Sequence, residues 1–169
     1  MDISTSIIWL DDIQASKKEL LGGKFYNLTE LKAAGFLVPS GFGISTEAYE
    51  QFMEACGLKR KAANVYAIAR SKKLSDLKNE TNDLINSILT SEIPSNLDSL
   101  IRKNYSLLER QSGQKDIPVA VRSSGESEDL AGASFAGQYD TYLWVSGIES
   151  VFQHIRLCWA SMFNETVLT

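Results

Sequence analysis

Apolar residues recur along this chain in short bursts, and the spacing within each burst predicts an element. Ile7 to Leu10 is a brief apolar run, too short for a helix and suited to a strand. Lys17 to Leu21 leads into Gly22-Gly23, a pair that breaks any regular element. From Lys24 onward Phe25, Leu28 and Leu31 fall on one helical face, and Gly35 stands where a helix-ending glycine belongs. Val38-Pro39 sends the chain extended into a short strand, Gly41 to Ile44. Ser45 or Thr46 can cap the next helix, which carries Tyr49, Phe52, Met53 and Cys56 on one face and stops at Gly57.

Leu58 to Arg110 is more polar and reads as helices with weak breaks. Leu77, Leu84, Ile85 and Ile88 share a face; Pro94 interrupts; Ser95 caps a run carrying Leu97, Leu100, Ile101 and Leu108. Gln111 to Asp116 is a polar loop, and Ile117 to Val121 is a strand that tolerates Pro118 near its start. Thr141 to Val145 is a further strand, and Gly147 turns the chain. Ile148, Val151, Phe152, Ile155, Cys158, Trp159, Met162 and Phe163 then mark a strongly amphipathic helix. The expected fold is α+β, short strands with several packed helices.

Composition narrows the partners. With 169 residues, 44% hydrophobic and 22% charged, the chain reads as a soluble globular protein able to bury a core. A formal charge of -4 offers no basic field to draw in nucleic acid or anionic lipid, so any bound anion must be held by a local arrangement of donors. Asp11 and Asp12 follow the first apolar run at once, which excludes a signal peptide or membrane span there. Cys56 and Cys158 are isolated, with no metal-ligand spacing; buried free thiols in a reducing cytoplasm fit them.

Two glycine-bearing stretches carry candidate chemistry. Gly22-Gly23-Lys24 precedes a helix, where unpaired N–H groups and positive partial charge favour an anion, and Lys24 adds a full charge. The spacing of a Walker A loop is absent, so a flexible turn with a surface lysine is the alternative. The second stretch begins at Arg122, fixed by the strand before it, and runs through Ser123, Ser124, Gly125, Ser134 and Gly137 to Thr141. These residues supply hydroxyl and backbone N–H donors with little bulk, as a triphosphate requires, although a surface loop is the plainer reading. Connections this long between strands are uncommon and usually functional or disordered.

Together the two stretches carry a resemblance. "LGGKFYNLTELKAAGFLVPSGFGISTEAY" (Leu21 to Tyr49) resembles the opening of the phosphoenolpyruvate synthase and pyruvate phosphate dikinase family. "VAVRSSGESEDLAGASFAGQYDTYL" (Val119 to Leu143), followed by "CWASMF" (Cys158 to Phe163), resembles that family's nucleotide-binding domain. Rifampicin phosphotransferases share these motifs, and "QHIRLCWASMF" is at least as close to them. The resemblance is weak only through Leu58 to Asp116. One departure is visible: many relatives read "RSSATAEDL" where this chain reads "RSSGESEDL", which places Glu126 beside the anion site.

The resemblance implies that residues 1–169 form the N-terminal portion of an ATP-grasp domain in a longer chain. It implies ATP as ligand and Mg²⁺ held by residues beyond Thr169. It also implies a swivelling phosphohistidine domain that takes the β-phosphoryl group, and an acceptor domain serving pyruvate or another acceptor. Lys24 and Arg122 would be the cations on the triphosphate; Ser134, Gly137, Gln138 and Thr141 would belong to the loop covering it. His154, the one histidine, lies on the amphipathic helix and is expected to be a surface or packing residue rather than the phosphoryl acceptor. The fragment alone is expected to be inactive, and a non-catalytic binding or regulatory module is the rival class.

Overall fold

Short strands bracket the first helix of the chain. β1 (Ile7–Trp9) pairs antiparallel with β2 (Phe42–Ile44), with Ile8 opposite Gly43. Between them runs α1 (Lys18–Ala33), whose Leu21 and Phe25 lie against Gly43; a side chain at residue 43 would collide with Leu21 and crowd the Phe25 ring. This computed structural model describes residues 6–12, 15, 17–71, 74–124 and 141–163. Gly35 ends α1 as its position predicts: at φ +88° it donates to the Lys32 carbonyl while Phe36 N–H reaches back to Leu31. Gly57 does the same for α2 (Thr46–Ala55), and the following Leu58 is buried. Ser45, rather than Thr46, is the cap of α2, accepting the Ala48 N–H at 3.2 Å.

Three helices then form the main body: α3 (Lys59–Ser71), α4 (Leu74–Thr90) and α5 (Ser95–Ser112). Their apolar stripes meet those of α2 and α6 (Ile148–Ser161) in one core around Phe52, Val65, Leu84, Ile88, Ile101 and Phe163. Two local expectations change here. Ser95 is the first helical residue of α5 and Pro94 stands at the N-cap, because proline's fixed φ and missing N–H suit a helix entrance. The polar run from Gln111 does not start a loop, since α5 continues to Ser112 until Gly113 adopts φ +69°.

β3 (Val119–Arg122) and β4 (Thr141–Val145) form a second antiparallel pair, so the architecture is α+β, with two small, separate sheets among the described residues. The β3–β4 pair packs on α6. Tyr105 of α5, almost wholly buried, clamps the far end of this pair. Its hydroxyl donates to the Ile117 carbonyl at 2.7 Å and accepts the Gly147 N–H at 3.1 Å. One phenol thus holds the entry to β3 and the exit from β4 together. Trp9 performs the matching tie for the other sheet, its indole N–H donating to Asn104 Oδ1 of α5 at 2.7 Å.

Removal of the Tyr105 hydroxyl leaves a carbonyl and an N–H without their partner while keeping the ring. Tyr105→Phe is expected to lose about 1–3 kcal/mol in urea denaturation; a loss below about 0.5 kcal/mol would mean that water replaces both bonds.

Burial pushes the phenols of Tyr105 and Tyr49 up, and at Tyr49 the neighbouring Tyr66 and Glu50 add to it. In the unfolded chain both ionise near pH ~10, so the unfolded state binds fewer protons than the folded one above that pH. Stability from these groups is therefore intact below about pH 10 and falls as the pH rises further. Denaturation midpoints measured across that range should drop, and Tyr49→Phe should make the drop shallower.

Candidate functional site

The site begins at a break inside α1. Gly22 has φ +72° and ψ 173°, a conformation essentially restricted to glycine, and it divides α1 into two helical segments. A new helical start needs partners for its first N–H groups, which a side chain on the preceding residue ordinarily provides. Gly22 has no side chain. The partner comes instead from two residues beyond β3: Ser124 Oγ accepts the Phe25 N–H at 3.0 Å, across a sequence separation of 99 residues.

The same serine explains why residue 22 is glycine. A Cβ there would lie 1.4 Å from the Ser124 carbonyl oxygen. The glycine pair was expected to break the chain and let an anion approach the backbone. Only Gly22 leaves the helical conformation, while Gly23 continues α1, and what approaches Gly22 is the backbone of Ser124. The two glycine-bearing stretches are therefore one junction.

Arg122 and Thr141 are directly opposite each other in the β3–β4 register, and both are exposed. Strand alternation sets this: Val119 and Val121 turn toward the core, Ala120 and Arg122 away from it. Lys24, half-buried, sits one residue before the capped Phe25 N–H. Ser123 is buried, and among the described residues its hydroxyl has no hydrogen-bond partner. The junction thus gathers the backbone positions of two cations, an exposed threonine and a helix start with positive partial charge. That donor set fits a polyanion such as a triphosphate. The remaining residues named from the sequence, Ser134, Gly137 and Gln138, lie outside the described residues.

Among the described residues no group of three or more His, Cys, Asp or Glu side chains gathers to hold a metal ion. His154 turns inward: its Nδ1 donates to the Ser150 carbonyl at 2.7 Å, and its ring meets the Tyr142 ring edge-on at 4.8 Å. Cys158 is buried and Cys56 half-buried, both as thiols rather than in a disulfide. No helix among the described residues is long and apolar enough to cross a membrane.

Two features of the site escaped the sequence. Ser124 is an ordinary loop serine until the chain returns to Phe25, so no local signal marks it as a cap. β4 also carries a bulge: Val119 pairs with Val145 but Val121 with Tyr142, which sets Leu143 and Trp144 against Ala120 alone. Trp144 takes φ +60° and is 83% exposed. Such a kink re-aims side chains and increases the twist of the strand beside the Arg122–Thr141 pair.

The junction sets a lysine at one helix start beside an arginine at the adjoining strand end. Residues 18–169 match the AMP/ATP-binding domain of pyruvate phosphate dikinase, and the chain belongs to that family. It is 41% identical over 163 residues to a probable phosphoenolpyruvate synthase of Staphylothermus marinus, covering 94% of this chain and 19% of the relative. It is 36% identical to the probable phosphoenolpyruvate synthase of Methanothermobacter thermautotrophicus, over 94% of this chain and 23% of that one. The phosphoenolpyruvate synthase of Neisseria meningitidis is 32% identical, over 96% of this chain and 21% of the relative. The chain spans about a fifth of the length of these relatives.

The contact at Gly22 can be separated from its backbone conformation. Gly35 also has positive φ, yet no described residue lies within 4 Å of where its Cβ would be. Gly35→Ala should lose about 1–2 kcal/mol, the strain alone. Gly22→Ala should lose at least about 2 kcal/mol more, because Ser124 must move as well. Equal losses in thermal denaturation would show that the junction is not tight.

Proposed function

We propose that this chain is the ATP-binding portion of a dikinase-type phosphotransferase. In the complete protein the β-phosphoryl of ATP passes through a phosphohistidine on another domain to pyruvate or another acceptor, with release of AMP and phosphate. The observation that carries this reading is the Gly22–Ser124 junction. It sets the lysine-bearing helix start against the arginine-bearing strand end in a chain of the dikinase nucleotide-binding family. Lys24 and Arg122 are assigned to the triphosphate, and Thr141, opposite Arg122, to the same anion. Ser134, Gly137 and Gln138 are assigned to the covering loop on the strength of the motif.

The residues here bind and orient; they do not accept the phosphoryl group. His154 is held by Ser150 and Tyr142 within the α6–β4 contact, whereas a phosphoryl carrier must reach both donor and acceptor. Magnesium accompanies ATP in this chemistry; no group of three or more His, Cys, Asp or Glu side chains gathers among the described residues, and the metal's ligands are expected beyond Thr169. The acceptor and the carrier histidine are placed in other domains, and the cytoplasm is the expected compartment.

Each charge-assisted contact to phosphate is worth about 1.5–3 kcal/mol. Lys24→Ala and Arg122→Ala should therefore each weaken ATP binding by the full-length protein about ten- to a hundredfold. Titration calorimetry measures this directly. Wild-type affinity in both variants would remove the site assignment.

A further inference from the structure

Ser124 does more at this junction than fill space. Its carbonyl oxygen packs where a side chain on Gly22 would stand, and its hydroxyl accepts the Phe25 N–H at 3.0 Å. Those two contacts straddle Lys24, one on the chain before it and one on the chain just after. On its other side Ser124 is two residues from Arg122, whose backbone is fixed by pairing with Thr141. One residue therefore touches the backbone on both sides of one cation and is tethered through Ser123 to the other.

We propose that Ser124 is a positioning residue that sets Lys24 relative to Arg122, and that it acts on nucleotide binding through Lys24 rather than by touching the ligand. The inference rests on the assignment of Lys24 and Arg122 to the triphosphate. Its physical basis is the cap. A helix start with an unanswered N–H frays, and a lost side-chain cap reduces the order of the first turn by a factor of about 2 to 30. Lys24 lies in that first turn. A lysine whose backbone wanders must be ordered again each time ligand binds, which lowers affinity even though its charge is retained. The run Arg122-Ser123-Ser124 then divides its work. Arg122 is exposed for ligand, Ser123 is buried beneath, and Ser124 faces α1.

A double-mutant cycle on the full-length protein tests this, with ATP affinity and thermal midpoint read for every variant. Ser124→Ala removes the acceptor, and Ser124→Cys replaces it with a poorer one at nearly the same volume, which guards against a folding failure in the alanine variant. Both should weaken ATP binding by about three- to twentyfold in the wild-type background. In the Lys24→Ala background the same substitutions should weaken it by less than about twofold, because the lysine they position is gone. An equal loss in both backgrounds would overturn the proposal and leave Ser124 a merely structural residue or a ligand contact. Wild-type affinity in the serine variants, with Lys24→Ala and Arg122→Ala impaired, would overturn it while the ATP assignment stands. If Lys24→Ala and Arg122→Ala also bind normally, the assignment itself fails.

Discussion

The Ser124 carbonyl oxygen occupies the space that a side chain on residue 22 would need, and the Ser124 hydroxyl closes the helix start that follows. Everything the site can do depends on that double contact. It is available only because residue 22 is a glycine with φ +72° and because residue 124 is small and carries an acceptor. A bulkier residue at either position separates the lysine-bearing segment from the arginine-bearing one. With the contact in place, a helix start and a strand end distant in sequence become one continuous surface.

The rest of the fold holds the two sides of this junction at a fixed separation. Helix α5 is the common reference. Asn104 on it holds Trp9 of β1, and one residue further on Tyr105 bridges the ends of β3 and β4. β1 and β2 in turn seat Leu21 and Phe25 of α1 against Gly43, and α6 backs the β3–β4 pair. A two-stranded sheet is marginal by itself, so each of these sheets relies on its helix. The side chains named here are buried or half-buried, which is why their hydrogen bonds bear on geometry more than exposed ion pairs such as Lys61–Asp83 do.

Much of this was legible in the sequence. Hydrophobic spacing located the strands and helices, and Gly35, Gly57 and Ser45 marked ends because their chemistry is local: positive φ for the glycines, an acceptor within three residues for the serine. Family motifs pointed to Lys24 and Arg122, and Thr141 came with them. What local chemistry does not encode was hidden. The cap on Phe25 comes from a residue 99 positions away, and the glycine requirement at residue 22 comes from that same residue. The bulge at Leu143–Trp144 was equally hidden, since "TYLWV" alternates well enough to pass for a regular strand. Pro94 displaced Ser95 from the cap of α5 because a proline entrance and a serine cap compete for neighbouring positions.

If the junction is the nucleotide site, ligand must act on both of its sides at once. Hydrogen exchange of the full-length protein, with and without Mg·ATP, reads this directly through the backbone amides of residues 22–28 and 119–124. Coupled protection is expected: both segments slow together on adding nucleotide, and Ser124→Ala diminishes the effect in residues 22–28 more than in 119–124. Protection of one segment without the other, or of neither while ATP is bound, would contradict a single site built across the Gly22–Ser124 contact.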